Sequence, residues 1–217
     1  MNRVRQGSFE FTSWGGARDG AGRKRVGVQK CVPHRKRGAL AARHPVHVTL
    51  RIASGLESLR RRRTYAVVRD ALAAGASRYG LRLVHYSVMT NHLHLVCEGG
   101  DERALARGIK GDCVRMARAL NRIWARLGRV FADRYHAHVL KTPREVRNVL
   151  NYVLRNAAHH KIQVVGVDPC FSGAWFDGWL GQKAQPSGFP TSPLPRASTW
   201  LLTIGWRRHG LIWDGLN

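Results

Sequence analysis

The chain has 217 residues, 44% of them hydrophobic, enough for one good-sized domain with extensions around a real core. Lysine and arginine number 37 against 13 acidic residues, a formal net charge of +24, and the expected partner is a polyanion. Nucleic acid fits better than a membrane surface, because guanidinium forks match phosphate geometry and no basic amphipathic helix with a bulky apolar face stands out at either end. A genome rich in GC would raise the arginine count but would not remove so many acidic residues. No apolar run reaches 18 residues, and the start MNRVRQGSFEF lacks the apolar segment of a signal peptide, so the expectation is a cytoplasmic, nucleoid-associated protein with no membrane partner. The four cysteines, Cys31, Cys97, Cys113 and Cys170, lie far apart without a Cys-x-x-Cys pair, which argues against a disulfide framework or a zinc knuckle.

Residues 1–43 contain GGARDGAGRKRVG and PHRKRG, rich in glycine and basic residues and poor in apolar periodicity, and read as a basic flexible arm. From His44 the pattern changes. PVHVTLRI alternates and predicts a strand at about 46–52, and LESLRRRRTYAVVRDALAAGASRYG places Tyr65, Val68, Leu72 and Ala76 at helical spacing with Gly80 as a stop. LRLVHYSVM and NHLHLVCE are two strand-like runs meeting at Thr90-Asn91, the pattern of a hairpin. Over 101–127 the residues Leu105, Ile109, Cys113, Met116, Leu120, Ile123 or Trp124, and Leu127 step by three and four, predicting the longest helix. Its other positions carry Arg103, Arg107, Lys110, Arg115, Arg118, Arg122 and Arg126, a ridge of nearly one sign.

RVFADRYHAHVLK predicts another extended run. TPREVRNVLNYVLRNAAHH then opens with a helix start: Thr142 as N-cap, Pro143 in first place and Glu145 three residues after the cap. The order strand, helix, strand, strand, helix, strand, helix describes an α+β fold, a ferredoxin-like βαββαβ core with an antiparallel sheet and an added C-terminal helix. Residues 161–217 turn to Gly, Pro, Trp and Ser and read as an extension packing on the domain through Trp175, Phe176 and Trp179, ending in WLLTIGWRRHGLI.

Within MTNHLHLVCE, His92 and His94 share one face of the third strand, as two metal ligands would. In NYVLRN, Tyr152 and Asn156 are four apart and would share a helical face, one placing a nucleophile while the other contributes an oxygen. A tyrosine with a free pKa near 10 needs a metal to polarise the phosphate before attack is feasible. A rival pair, His136 and His138 of RYHAHV, is also strand-like.

MTNHLHLV resembles the His-hydrophobe-His motif of the HUH single-tyrosine transposases, and NYVLRN resembles the tyrosine helix of their REP-associated branch, in which Asn follows Tyr by four. The resemblance covers about residues 44–160, which would be the catalytic domain. It implies a ferredoxin-like core whose added helix carries the tyrosine, binding to single-stranded or hairpin DNA at repeat or element ends, and cleavage that leaves a 5′-phosphotyrosine and a free 3′-hydroxyl. By that likeness His92, His94 and Asn156 would hold Mg²⁺ or Mn²⁺ and Tyr152 would be the nucleophile. Such relatives are monomers or dimers, so a homodimer stays open. The DNA would be held by Arg60, Arg61, Arg62, Arg63, Arg107, Lys110, Arg115, Arg118 and Arg122. The alternative is a non-catalytic, domesticated binder of structured nucleic acid. A zinc hydrolase fits less well, since no Asp or Glu stands at a ligand spacing beside the histidine pair.

Overall fold

In β1, Val46–Arg51, the residues Val46, Val48 and Leu50 are buried on one side while His47, Thr49 and Arg51 point to the other. The computed structural model describes residues 38–156, 168–180 and 192–213, all within one compact unit, Val32–Asn217. β1 is followed by α1 (Arg62–Gly75), β2 (Leu81–Val88), β3 (His92–Gly99), α2 (Glu102–Ile123), β4 (His136–Val139) and α3 (Pro143–Leu154). The four strands form one antiparallel sheet in the order β2-β3-β1-β4, giving a mixed α/β architecture in which β3 and β1 are central and β4 is an edge.

One face of the sheet offers Val48, Leu50, Leu93, Leu95 and Cys97 to a core closed by α1 (Val68, Leu72) and α2 (Leu105, Ile109, Met116, Leu120). Burying a side chain such as Leu120 or Met116 contributes roughly 1.5–3 kcal/mol, so this stripe is what holds α2 in place. α2 approaches β2 closely at Gly108, where an added Cβ would meet Leu81 at 2.3 Å. Asp101 caps α2 by accepting from the Ala104 amide at 2.6 Å.

The other face is covered over Val84 and Val96 by α3 (Val146, Leu150, Val153, Leu154) and by residues from the C-terminal third of the chain, Phe176, Leu201, Leu202, Trp206 and Ile212. These belong to a 3-10 helix at Ser172–Trp175, β5 (Trp179–Leu180), α4 (Trp200–Thr203), a second 3-10 helix at Gly205–His209 and β6 (Ile212–Trp213). The Phe176 and Trp206 rings stack with centroids 5.4 Å apart. The buried Glu98 carboxylate on β3 accepts from the backbone of Ser198 and Thr199 and from Ser198 Oγ, fixing the start of α4 to the sheet. Arg147 on α3 donates to the carbonyls of Gly210 and Leu211.

Several boundaries differ from the sequence-based expectation. α1 ends at Gly75 rather than running to Gly80, and in the turn that follows Tyr79 and Gly80 take positive φ values of 58° and 76°. α2 stops at Ile123, where Ala125 at φ 48° breaks the helix, and Leu127, expected in the apolar stripe, is 91% exposed. The extended run before α3 pairs as a strand only over His136–Val139, with Phe131 making an isolated bridge to Ile52. The start of α3 follows the expectation: Thr142 Oγ1 accepts from the Glu145 amide at 3.2 Å, and the Glu145 carboxylate accepts from the Thr142 amide at 3.1 Å. Most of the proposed arm, residues 1–37, lies outside the described residues. No helix among the described residues is long and apolar enough to cross a membrane.

Candidate active site

The alternation that sends Leu93 and Leu95 into the core sends His92 and His94 to the opposite face. Their rings meet edge to face with centroids 4.8 Å apart. Register extends this polar stripe across the sheet: His92 lies opposite Arg51, His94 opposite Thr49 on β1 and Ser87 on β2, while Thr49 and His47 lie opposite His136 and His138 on β4. Both His-x-His pairs therefore occupy the same face, one on a central strand and one on the edge.

His47 is the residue that sequence reasoning missed. Its Nε2 lies 3.0 Å from His94 Nδ1, the two rings stack with centroids 5.2 Å apart, and Thr49 Oγ1 lies 3.3 Å from the same nitrogen. The signal was present in HVT, whose polar positions alternate with Val46, Val48 and Leu50. Nothing local says that this alternation faces the other histidines, because that depends on which strand pairs with β1. Burial pushes the His47 imidazole down to about 4, and the nearby His138 and His136 act in the same direction, so His47 is neutral at pH 7. On the other side, His92 Nδ1 lies 2.8 Å from Asn91 Oδ1.

Each motif histidine is thus engaged through Nδ1 with a neighbouring polar group. Where His92 donates to the Asn91 carbonyl oxygen and His94 donates to neutral His47, both rings carry their lone pair on Nε2. That is the tautomer a cation or a proton-accepting role requires.

α3 brings Tyr152 to this stripe. Its ring packs edge-on against His94 at 5.1 Å between centroids and against His47 at 6.2 Å, and the residue stays 37% exposed. The Tyr152 ring thus stands beside two imidazoles at a partly exposed position. Asn156 stands differently. α3 ends at Leu154, Arg155 leaves helical geometry at φ −120° and ψ 16°, and Asn156 is only 1% exposed. The shared helical face expected from the spacing of four is interrupted by that break. Among the described residues neither amide atom of Asn156 has a hydrogen-bond partner, an arrangement that costs about 1–3 kcal/mol per group unless something else is bound there. Among the described residues, no three His, Cys, Asp or Glu side chains converge on a point that could hold a metal ion.

The basic residues divide. Arg60 is drawn into the fold: its guanidinium donates to both Asp168 oxygens at 3.1 and 2.8 Å and to the Val88 carbonyl, leaving it 13% exposed. That position serves the packing of the segment at Asp168 rather than an incoming phosphate. Arg115 is held at 2.8 Å by the buried Asp112. Arg61, Arg62, Arg63, Arg107, Lys110, Arg118 and Arg122 are exposed.

No protein-family model matches the sequence, and no curated protein matches it. Solved structures of similar shape include two transposases. One is a REP-associated tyrosine transposase bound to a REP hairpin, 12% identical, with a TM-score of 0.48 over 59% of this chain and 74% of that one. The other is a candidate transposase from Deinococcus radiodurans R1, 17% identical, with a TM-score of 0.39 over 52% of this chain and 87% of that one. At such scores the likeness carries no part of the functional reading, which rests on the residues of the site.

Proposed function

We propose that this protein is a transposase-type enzyme that nicks single-stranded or hairpin DNA and transfers strands, with Tyr152 as nucleophile. The observation that carries the reading is the placement of the exposed Tyr152 ring against His94 and His47, beside the His92–His94 pair. The strand order β2-β3-β1-β4 with α1 and α2 on one face supports reading residues 44–160 as a ferredoxin-like catalytic domain.

In the proposed step, the Tyr152 phenolic oxygen attacks the scissile phosphorus and loses its proton. The bond from phosphorus to the 3′ oxygen breaks, and that oxygen takes up a proton to leave as a free hydroxyl. The downstream fragment stays on Tyr152 through its 5′ phosphate. One phosphodiester has been exchanged for another, so rejoining needs no ATP. The surplus of positive charge draws the DNA in, and neutral His47 orients His94.

Two imidazoles that each engage a neighbour through Nδ1, and a buried Asn156 carboxamide with no hydrogen-bond partner among the described residues, support a divalent cation, Mg²⁺ or Mn²⁺, as the cofactor. When bound, such an ion supplies Lewis-acid polarisation of the phosphate. His92, His94 and Asn156 would hold it.

The test is a denaturing gel of hairpin substrates labelled upstream or downstream of the cut. Wild type is expected to give a protein-DNA band carrying the downstream label, and Tyr152→Phe, which removes one oxygen, is expected to bind DNA and give no band. A band that persists in Tyr152→Phe, or that carries the upstream label, overturns the assignment. Binding without any adduct in wild type would make the protein a non-catalytic binder.

A further inference from the structure

On the far side of the sheet from Tyr152, α2 turns Arg103, Arg107, Lys110, Val114, Arg118 and Arg122 outward at intervals of three and four residues. Beside this stripe lies an open groove of about 600 Å³, whose lining includes Arg107, Lys110, Arg115, Arg118, Arg122 and Tyr79. Arg107, Lys110, Arg118 and Arg122 form no ion pair among the described residues, and Arg115, which also lines the groove, is paired with Asp112. The nearest carboxylate on the helix, Asp112, is buried and tied to Arg115, so it does not offset them at the surface.

Tyr79 is the unusual member. It sits in the turn between α1 and β2 at φ 58°, a left-handed conformation that costs a side-chain-bearing residue about 1–2 kcal/mol. It is also 56% exposed, so core packing does not explain why a tyrosine is kept there. The ring lies against α2 at Gly111, where an added Cβ would stand 3.1 Å from Tyr79 Cε2. A glycine on the helix and a strained turn together hold an exposed aromatic face at the edge of a basic groove. Strain of this kind collects where it serves binding.

We propose that this groove is a second DNA-binding surface, separate from the nicking site, in which a nucleobase of single-stranded DNA stacks on Tyr79 while Arg107, Lys110, Arg118 and Arg122 hold its phosphates. The proposal rests on the DNA reading above but not on the chemistry of Tyr152. From Arg107 to Arg122 the helix rises about 22 Å, room for several nucleotides. Stacking on an aromatic tolerates any base, and the cations follow the backbone, so the groove distinguishes single strands from duplex rather than one sequence from another.

The experiment uses the full chain in EDTA, with fluorescence anisotropy on labelled single-stranded oligonucleotides. Tyr79→Ala is expected to weaken binding roughly 5- to 100-fold, the range for loss of one stacked base, while Tyr79→Phe keeps it within about twofold. Arg107→Ala with Arg118→Ala should make the log-log salt slope shallower by about 1.4. Tyr79→Gly removes the ring and relieves the backbone, so it should weaken binding without lowering the melting temperature, which separates lost contact from lost fold. Unchanged affinity in Tyr79→Ala and Tyr79→Gly overturns the groove while leaving the DNA reading intact, as does equal affinity for duplex of the same length. If wild type holds no single strand at all, the groove and the DNA reading fall together.

Discussion

His92 and His94 on one strand, and His136 and His138 on another, repeat the same three-residue pattern on the same face of the same sheet, yet their surroundings differ. The first pair sits on a central strand, with Nδ1 of each ring engaged by a neighbour and the Tyr152 ring against His94. The second sits on the edge strand, exposed at both positions. A His-x-His motif acquires chemistry from what flanks its strand. On a central strand, neighbours on both sides fix ring orientation, whereas an edge strand leaves one side to solvent.

The comparison breaks most sharply under paired substitution. Replacing His92 and His94 by Ala is expected to reduce nicking by roughly 100-fold or more, the loss of several kcal/mol of phosphate polarisation. Replacing His136 and His138 by Ala should change it within about twofold, as surface substitutions do. Single-turnover rates on one hairpin decide the matter, and the reverse ranking would assign the site to β4.

His47 stands between the two pairs, touching His94 and lying opposite His138, so its effect should be intermediate. His47→Ala is expected to lower the rate or the metal affinity about 10- to 100-fold, the usual range for a residue that orients a ligand. A metal titration of nicking measures both. An unchanged titration would mean that Thr49 alone orients His94.

The smallest effect concerns stability in acid. Burial pushes the imidazoles of His47 and His85 down to about 4, and His85 Nδ1 lies 3.2 Å from Ser172 Oγ in the second core. Between pH 6.5 and 4 the unfolded chain binds protons at both positions that the folded chain excludes, so stability present above pH 6.5 is lost as pH falls through that window. Burial pushes Asp112 the other way, up to about 6 against an ordinary 3.8, and this contributes stability that grows as pH falls between those values. The two histidines outweigh the one carboxyl. The melting temperature should therefore fall by several degrees, on the order of magnitude set by these linked protons, between pH 6.5 and 4. His85→Gln should flatten that slope and Asp112→Asn should steepen it. A slope unaffected by His85→Gln would place the acid sensitivity elsewhere.

Local features were legible without any structure. Thr142, Pro143 and Glu145 announce the start of α3 because capping is decided by residues within four positions of one another. The hairpin at Thr90-Asn91 and the facing of His92 with His94 follow from strand periodicity in the same way. The end of α2 was not legible, since Ala125 takes a positive φ value that alanine does not favour, and neither was that of α1, which comes five residues before the glycine that marks a stop in the sequence.

What the sequence by itself determined is the set of elements, the charge, and the residue types able to do phosphate chemistry, all of which depend on composition and short-range spacing. Only the tertiary structure decided which of those residues meet. The pairing of β1 between β3 and β4 put His47 against His94, the burial of Asp168 removed Arg60 from the surface, and the packing of α3 on Val96 set Tyr152 beside the central histidines. Those contacts join positions from about 45 to more than 100 residues apart, and nothing in local propensity encodes them. They follow from which apolar faces must be buried against one another, a property of the whole chain at once.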